Sequence, residues 1–207
     1  MLDIPGILDR LAVDRPVFHS EADFQHALAW QIHQENPTAR IRLETRPERG
    51  VRLDLLVDVS GERTAVELKY FIRRLTAIVH GELYDLPNQG AHDISRYDFV
   101  KDIVRVETCI RSGFASHGWV LALSNDQGYW GAGRKPDPID PAFRIHDGRT
   151  LTGVLTWGPT AGVGTMRSRE QALSLTGSYA CAWRPYSDLE GETKRTAFRY
   201  LAVKVGG

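Results

Sequence analysis

Residues 51–70 read VRLDLLVDVSGERTAVELKY, and their alternation decides the fold. In the first half, Leu53, Leu55, Val57 and Val59 alternate with Arg52, Asp54, Leu56 and Asp58. In the second, Thr64, Val66, Leu68 and Tyr70 alternate with Arg63, Ala65, Glu67 and Lys69. A period of two predicts a strand in each half, with one apolar face. Ser60-Gly61 between them is a two-residue hairpin turn. That turn sets Val59 opposite Glu62, and the later pairs follow. Asp58 then faces Arg63 as a cross-strand ion pair, Asp54 faces Glu67, and Arg52 faces Lys69.

Two carboxylates directly opposed on a sheet stand about 4.5–5.5 Å apart at Cβ and destabilise it. A divalent cation between them removes the repulsion, and Mg²⁺ is commonly held by one or two carboxylates plus waters. Lys69 follows Glu67 by two residues and so shares its face, one pleat along. A lysine there can orient or deprotonate an attacking water and offset charge developing on a phosphate. The hairpin therefore combines a metal clamp with a cation, a set suited to in-line attack on a phosphodiester.

Working outward, Ser20 is a good N-cap for a helix running to about Gln34, with Glu21 in its first turn. Phe24, Leu28, Trp30 and Ile32 fall roughly on one side of it, and Asn36-Pro37 ends it. A shorter helix occupies residues 1–18 and breaks at Pro16. Strands are predicted at Arg40–Thr45, Val51–Val59 and Glu62–Phe71, and residues 75–86 read as another strand and turn. From Ala91 or Asp93 to Ser112, Ile94, Tyr97, Val100, Ile103, Val104 and Ile110 recur at helical spacing, with Gly113 as the stop. Trp119–Ser124 reads as a buried strand. Residues 125–150 are rich in Gly, Pro and Asp and read as irregular. Leu151–Trp157, Tyr179–Tyr186 and Phe198–Val205 read as strands that extend the same sheet, giving a single α/β domain over residues 1–207.

Asp54 followed by Glu67-Leu68-Lys69 at the end of the next strand resembles the PD-(D/E)XK nuclease motif. The helix before and the helix after match the order of that superfamily's restriction-endonuclease-like αβββαβ core, a mixed sheet flanked by helices. The resemblance covers about residues 18–125 and leaves a β-rich C-terminal extension outside it. It implies that Asp54 and Glu67 bind Mg²⁺ or Mn²⁺, with the Leu68 carbonyl as a further ligand. It also implies that Lys69 serves the water and that Glu21, on the first helix, assists. Leu53 stands where the motif has Pro. The function implied is a metal-dependent nuclease acting on nucleic acid, DNA first among substrates, with a homodimer suited to cutting both strands. The alternatives are a catalytically silent nucleic-acid-binding or assembly protein on the same fold, and a hydrolase or transferase using the clamp on a small phosphorylated substrate.

Each candidate also has a plainer reading. Asp54 and Glu67 could be solvated on an exposed sheet face, and a first-turn Glu21 stabilises its helix dipole without chemical duty. Gln89 could reach a phosphate or water, or simply shape the turn before the second long helix. On that helix Arg96, Lys101 and Arg105 could meet phosphates, although Asp98 and Asp102 among them suggest a solvated face laced with ion pairs. His26 and His33 lack a third ligand and read as surface residues. GPTAGVGT (158–165) lacks a P-loop lysine and reads as a hairpin. Trp130, Trp157 and Trp183 read as core.

The chain carries 26 basic and 26 acidic side chains, so no global field attracts a polyanion and any nucleic-acid surface must be local. Cys109 and Cys181 cannot build a disulfide framework or a zinc site and read as small buried residues. The acidic N-terminus and the lack of a long apolar run predict a soluble cytoplasmic protein without a membrane span.

Overall fold

The computed structural model describes residues 2–48, 51–133, 138–189 and 195–206. Two helices, α1 (Ile4–Asp14) and α2 (Glu21–Glu35), precede three strands, β1 (Arg40–Thr45), β2 (Leu53–Val59) and β3 (Glu62–Phe71). A small hairpin, β4 (Leu75–Val79) and β5 (Glu82–Leu86), leads to the long α3 (His92–Arg111) and to β6 (His117–Ser124). There follow a helical turn α4 (Gln127–Trp130), β7 (Thr150–Leu155), a second turn α5 (Val163–Met166), β8 (Leu173–Ala180), β9 (Trp183–Asp188) and β10 (Ala197–Val205). The fold is mixed α/β, and no helix among the described residues is long and apolar enough to cross a membrane.

Six strands form the central sheet in the order β1-β2-β3-β6-β10-β9. Only β3 and β6 run parallel; the other neighbours are antiparallel. Parallel neighbours need a crossover, and α3 supplies it. At the Ser60-Gly61 turn both residues have positive φ, 54° and 89°, as a tight hairpin with native twist requires. The register runs from Val59 opposite Glu62 to Leu55 opposite Val66, as the alternation predicts. Asp58 and Arg63 stand opposite each other but make no ion pair. Asp58 Oδ1 accepts from the Gly61 amide at 2.9 Å, and Arg63 Nη2 donates to the Gly113 carbonyl at 3.1 Å. A short carboxylate beside a turn meets the turn's own amide before it meets a long arginine.

Both sheet faces are covered, so alternate residues enter different layers. Leu55, Val57, Val66, Leu68, Tyr70, Leu121 and Leu123 pack with α1 and α2 through Ile4, Leu8, Phe24, Leu28 and Ile32. Leu56, Ala65, Val120, Ala122, Leu201 and Val203 pack with α3 through Phe99, Val100, Ile103 and Val106. Burial on two faces is why all eight residues of β6 are buried. Trp30 does not join the first layer: it is 63% exposed. It lies six residues after Phe24, a helical rotation of about 240°, whereas Leu28 and Ile32 keep the four-residue spacing.

The C-terminal region extends the sheet in part. Strands β9 and β10 join it, but β7 pairs only with β8 in a separate two-stranded ribbon. The expected strand Tyr179–Tyr186 is divided at Cys181, whose amide donates to the Arg149 carbonyl at 2.7 Å. GPTAGVGT lies in the connection between β7 and β8 and contributes to α5. Trp183 is buried, Trp130 and Trp157 pack against the α3-side core, and Trp157 stacks on Tyr97 with centroids 5.4 Å apart. Both cysteines are buried.

At Gly118 in β6, α3 packs too close to the sheet for a side chain. A Cβ there would stand 2.3 Å from Val106 Cγ1 and 2.7 Å from the Ala65 carbonyl oxygen. Gly118→Ala must push α3 outward and is expected to lower stability by about 1–3 kcal/mol, read from urea midpoints. Gly90→Ala, where a Cβ meets open space, is the control and is expected to stay within about 0.5 kcal/mol of the wild type.

Candidate active site

The ladder between β2 and β3 stops at Leu55 opposite Val66, one pair short of Asp54 opposite Glu67. Beyond that point, the amides of β3 that would have bonded to β2 take carboxylates instead. The Leu68 amide donates to Asp54 Oδ2 at 2.8 Å, and the Tyr70 amide to Glu21 Oε2 at 2.9 Å. Two of the predicted acids thus replace a strand partner and keep the β3 edge open. Leu68, whose carbonyl faces the same edge as its amide in an antiparallel strand, accepts from Lys69 Nζ at 3.3 Å.

A kink in the neighbouring strand coincides with the departure of β2. Glu44 in β1, at the level of Asp54, has φ +56°, a strained value for a residue with a side chain. Gln25 of α2, only 6% exposed, spans the kink: its Nε2 donates to the Asp54 carbonyl at 2.8 Å and to Glu44 Oε1 at 3.1 Å. Arg52, expected opposite Lys69, lies before β2 and pairs with Glu44. Helix α2 begins at Glu21 because Ser20 Oγ caps the Asp23 amide at 3.1 Å, which delivers the Glu21 side chain to β3.

On the α3 side, Glu67 is wholly buried, as the second layer of helix requires, and this excludes the solvated-face reading for it. Its Oε1 accepts from Arg105 Nη1 at 2.7 Å, while its Oε2 is buried without a hydrogen-bond partner. The same Arg105 nitrogen lies 2.7 Å from Asp102 Oδ1, and Lys69 Nζ lies 3.0 Å from Asp102 Oδ2. The result is a crossed quartet, in which each acid of one element meets the base of the other.

Desolvation by burial pushes the Glu67 carboxyl up to about 9, neighbouring Asp102 and Asp54 add to this, and Arg105 takes back only part. Asp102 is likewise raised, by burial above all, against the pull of Lys69 and Arg105. Burial opposes the Lys69 ammonium, but Asp102, Glu21 and Asp54 together outweigh it and hold the amine above its ordinary value. The lysine is therefore a firm cation, fitted to orient a water and offset phosphate charge rather than to remove a proton.

Among the described residues, no group of three or more His, Cys, Asp or Glu side chains forms a ready metal cage. The donors that Glu67 Oε2, Asp54 and the Leu68 carbonyl offer are all oxygens, and two are carboxylates. That set fits Mg²⁺ or Mn²⁺ with water completing the shell. The orphaned buried Oε2 is the strongest sign of fit, since a buried polar atom without a partner costs about 1–3 kcal/mol.

The remaining candidates separate. Lys101 is exposed on α3. Arg96 is 5% exposed and committed inward, with Nη1 2.6 Å from Asp140 Oδ2 and Nη2 donating to the Gly128 carbonyl at 2.5 Å. It is a structural ion pair rather than a phosphate contact, because the helix face that read as solvated is covered by the segment carrying Asp140. Gln89 uses its Oε1 to accept from the Ile72 amide at 3.1 Å, which fixes the turn before α3. His26 and His33 are exposed. Sequence reasoning named Arg105 as a possible phosphate contact and Asp102 as an ion-pair neighbour on a solvated face, without their link to Glu67 and Lys69, and it missed Gln25. The first two looked like surface charges at i,i+3 spacing, and Gln25 carried no signal at all.

The chain matches no family model and no curated protein.

Because the Glu67 carboxyl is raised in the folded chain from its ordinary 4.5 to about 9, the native state holds a proton that the unfolded state releases between those values. Its contribution to stability is therefore full below about 4.5 and drains away as pH rises toward 9. In EDTA, the wild-type Tm is expected to fall between pH 6 and 8.5, and Glu67→Gln is expected to flatten that fall and melt about 2–4 °C higher at pH 8.5. Parallel pH profiles of the two proteins would contradict this.

Proposed function

We propose that this chain is a divalent-metal-dependent nuclease with a restriction-endonuclease-like core. The observation that carries the reading is the convergence of Glu21, Asp54 and Lys69 at the end of β3 that β2 leaves unpaired, beside Glu67, which is buried under α3 with one carboxylate oxygen unpartnered. The order helix, three antiparallel strands, helix and a strand parallel to the third supports the same fold assignment.

Asp54, Glu67 and the Leu68 carbonyl would hold Mg²⁺ or Mn²⁺, which supplies Lewis-acid polarisation of a phosphoryl oxygen when bound. Lys69 orients the attacking water and stabilises the negative charge that grows on the phosphate. Glu21, tied to the Tyr70 amide, fixes the β3 edge and adds a carboxylate beside Lys69. Asp102 positions the Lys69 amine through its 3.0 Å ion pair. Arg105, now shared between Glu67 and Asp102, is placed to pass its charge to a substrate phosphate once Glu67 has another cation. DNA is the first substrate to test.

The Arg105–Glu67 pair also favours one other reading, a silent nucleic-acid-binding protein in which arginine permanently takes the ion's place. Salt-dependent, metal-independent binding without product would be its mark.

Incubation with plasmid, linear duplex and single-stranded DNA in Mg²⁺, Mn²⁺ or EDTA tests the proposal. Metal-dependent product is expected from the wild type. Lys69→Ala is expected to lose about 10²–10⁴-fold in rate while its metal affinity changes little, and Glu67→Ala to lose both. A Lys69→Ala protein that cuts at the wild-type rate would remove the lysine from the reaction.

A further inference from the structure

Beside the quartet, on the outer flank of α3, lies a groove of about 530 Å³. Among the described residues, three cations line it, Arg63, Lys101 and Arg105, together with apolar Val51, Val104 and Phe114. Glu48 is the one acidic residue in the lining. The Arg63 guanidinium lies over the Phe114 ring, 5.5 Å from its centroid, so a flat cationic and aromatic surface forms one wall. Arg105, which lines the groove, reaches Glu67 Oε1 at 2.7 Å and so joins the groove to the proposed reaction centre. Lys101 is exposed on its rim and makes no ion pair among the described residues.

We infer that this groove receives a single unpaired nucleotide of the substrate, next to the phosphate held at Glu67 and Lys69. The inference rests on the nuclease reading for the position of that phosphate. The volume suits one small organic moiety, and the lining divides as a nucleotide does. Cations meet the phosphate, and the apolar walls with the Phe114–Arg63 stack meet the face of a base. A base inside a duplex offers neither face to such a wall, because its neighbours cover both. The substrate is therefore single-stranded, or its base is turned out of the helix before it enters.

The test measures binding by fluorescence anisotropy in EDTA, where no cleavage can intervene. The probes are a labelled single-stranded 12-mer, the same sequence as a blunt duplex, and the 12-mer with abasic positions. The full-length wild type is expected to bind the single strand at least ten times more tightly than the duplex, and the abasic strand about tenfold more weakly than the intact one. Val104→Trp, which fills the groove, and Lys101→Glu, on an exposed position that leaves the core intact, are each expected to weaken single-strand binding by tenfold or more. Equal affinity for single strand and duplex, indifference to the missing bases, or wild-type binding by the folded Val104→Trp and Lys101→Glu proteins would each overturn the groove assignment. Its failure is separable from that of the nuclease reading. Metal-dependent cutting of plasmid without single-strand preference sinks the groove alone. Groove-dependent single-strand binding without cutting in any metal sinks the nuclease and leaves the groove.

Discussion

A carboxylate with no exposed surface sits between β3 and α3, and the surrounding structure is arranged to tolerate it. Glu67 and Asp102 are both buried, and two such charges without partners would cost several kcal/mol each. Lys69 and Arg105 meet them crosswise, Arg105 of α3 with Glu67 of β3 and Lys69 of β3 with Asp102 of α3, and the burial cost left over keeps both carboxyls above their ordinary values. The crossing staples helix to sheet at a polar level of the α3 layer. Above and below it, Val100, Ile103 and Val106 pack conventionally against Ala65, Val120 and Ala122. A hydrophobic quartet of similar volume would hold the same layers together at less cost. The arrangement fits the proposed function, in which a further cation would meet the unpartnered Glu67 Oε2.

The other half of the site comes from a strand that leaves the sheet early. Where β2 lies apart from β3, at Asp54, Glu44 of β1 is kinked and Gln25 bridges it to the Asp54 carbonyl, while the Asp54 and Glu21 carboxylates close the exposed amides. Carboxylates in place of a strand keep backbone donors satisfied. The same two carboxylates, with Asp102, keep Lys69 charged. Strain at Glu44, the opened ladder and the fixed lysine charge are thus linked through one short stretch of β3.

Much of this was legible in residues 51–70. The alternation and Ser60-Gly61 are local signals, and they determine strand type, turn and register down to Leu55 and Val66. The Ser20 cap and the Gly113 stop are local too. What failed was long-range. The predicted Asp54–Glu67 pairing continued a ladder that Glu44 and Gln25 interrupt, and both lie in other elements. Arg96, Lys101, Arg105, Asp98 and Asp102 have one spacing whether their helix face meets water or protein. Only the packing of β3 and of the segment carrying Asp140 makes Arg96 and Asp102 internal and leaves Lys101 outside. The alternation reads β7, β9 and β10 as strands but passes over most of β8, and nothing in a period of two says which sheet a ribbon joins.

The central claim is that Asp54 and Glu67 form a divalent-cation site. Calorimetric titration of the full chain with Mg²⁺ and Mn²⁺ tests it without substrate. The account expects saturable binding that Asp54→Asn and Glu67→Gln each weaken at least tenfold, with both variants folded. No binding by the wild type, or binding that both variants retain unchanged, would contradict it.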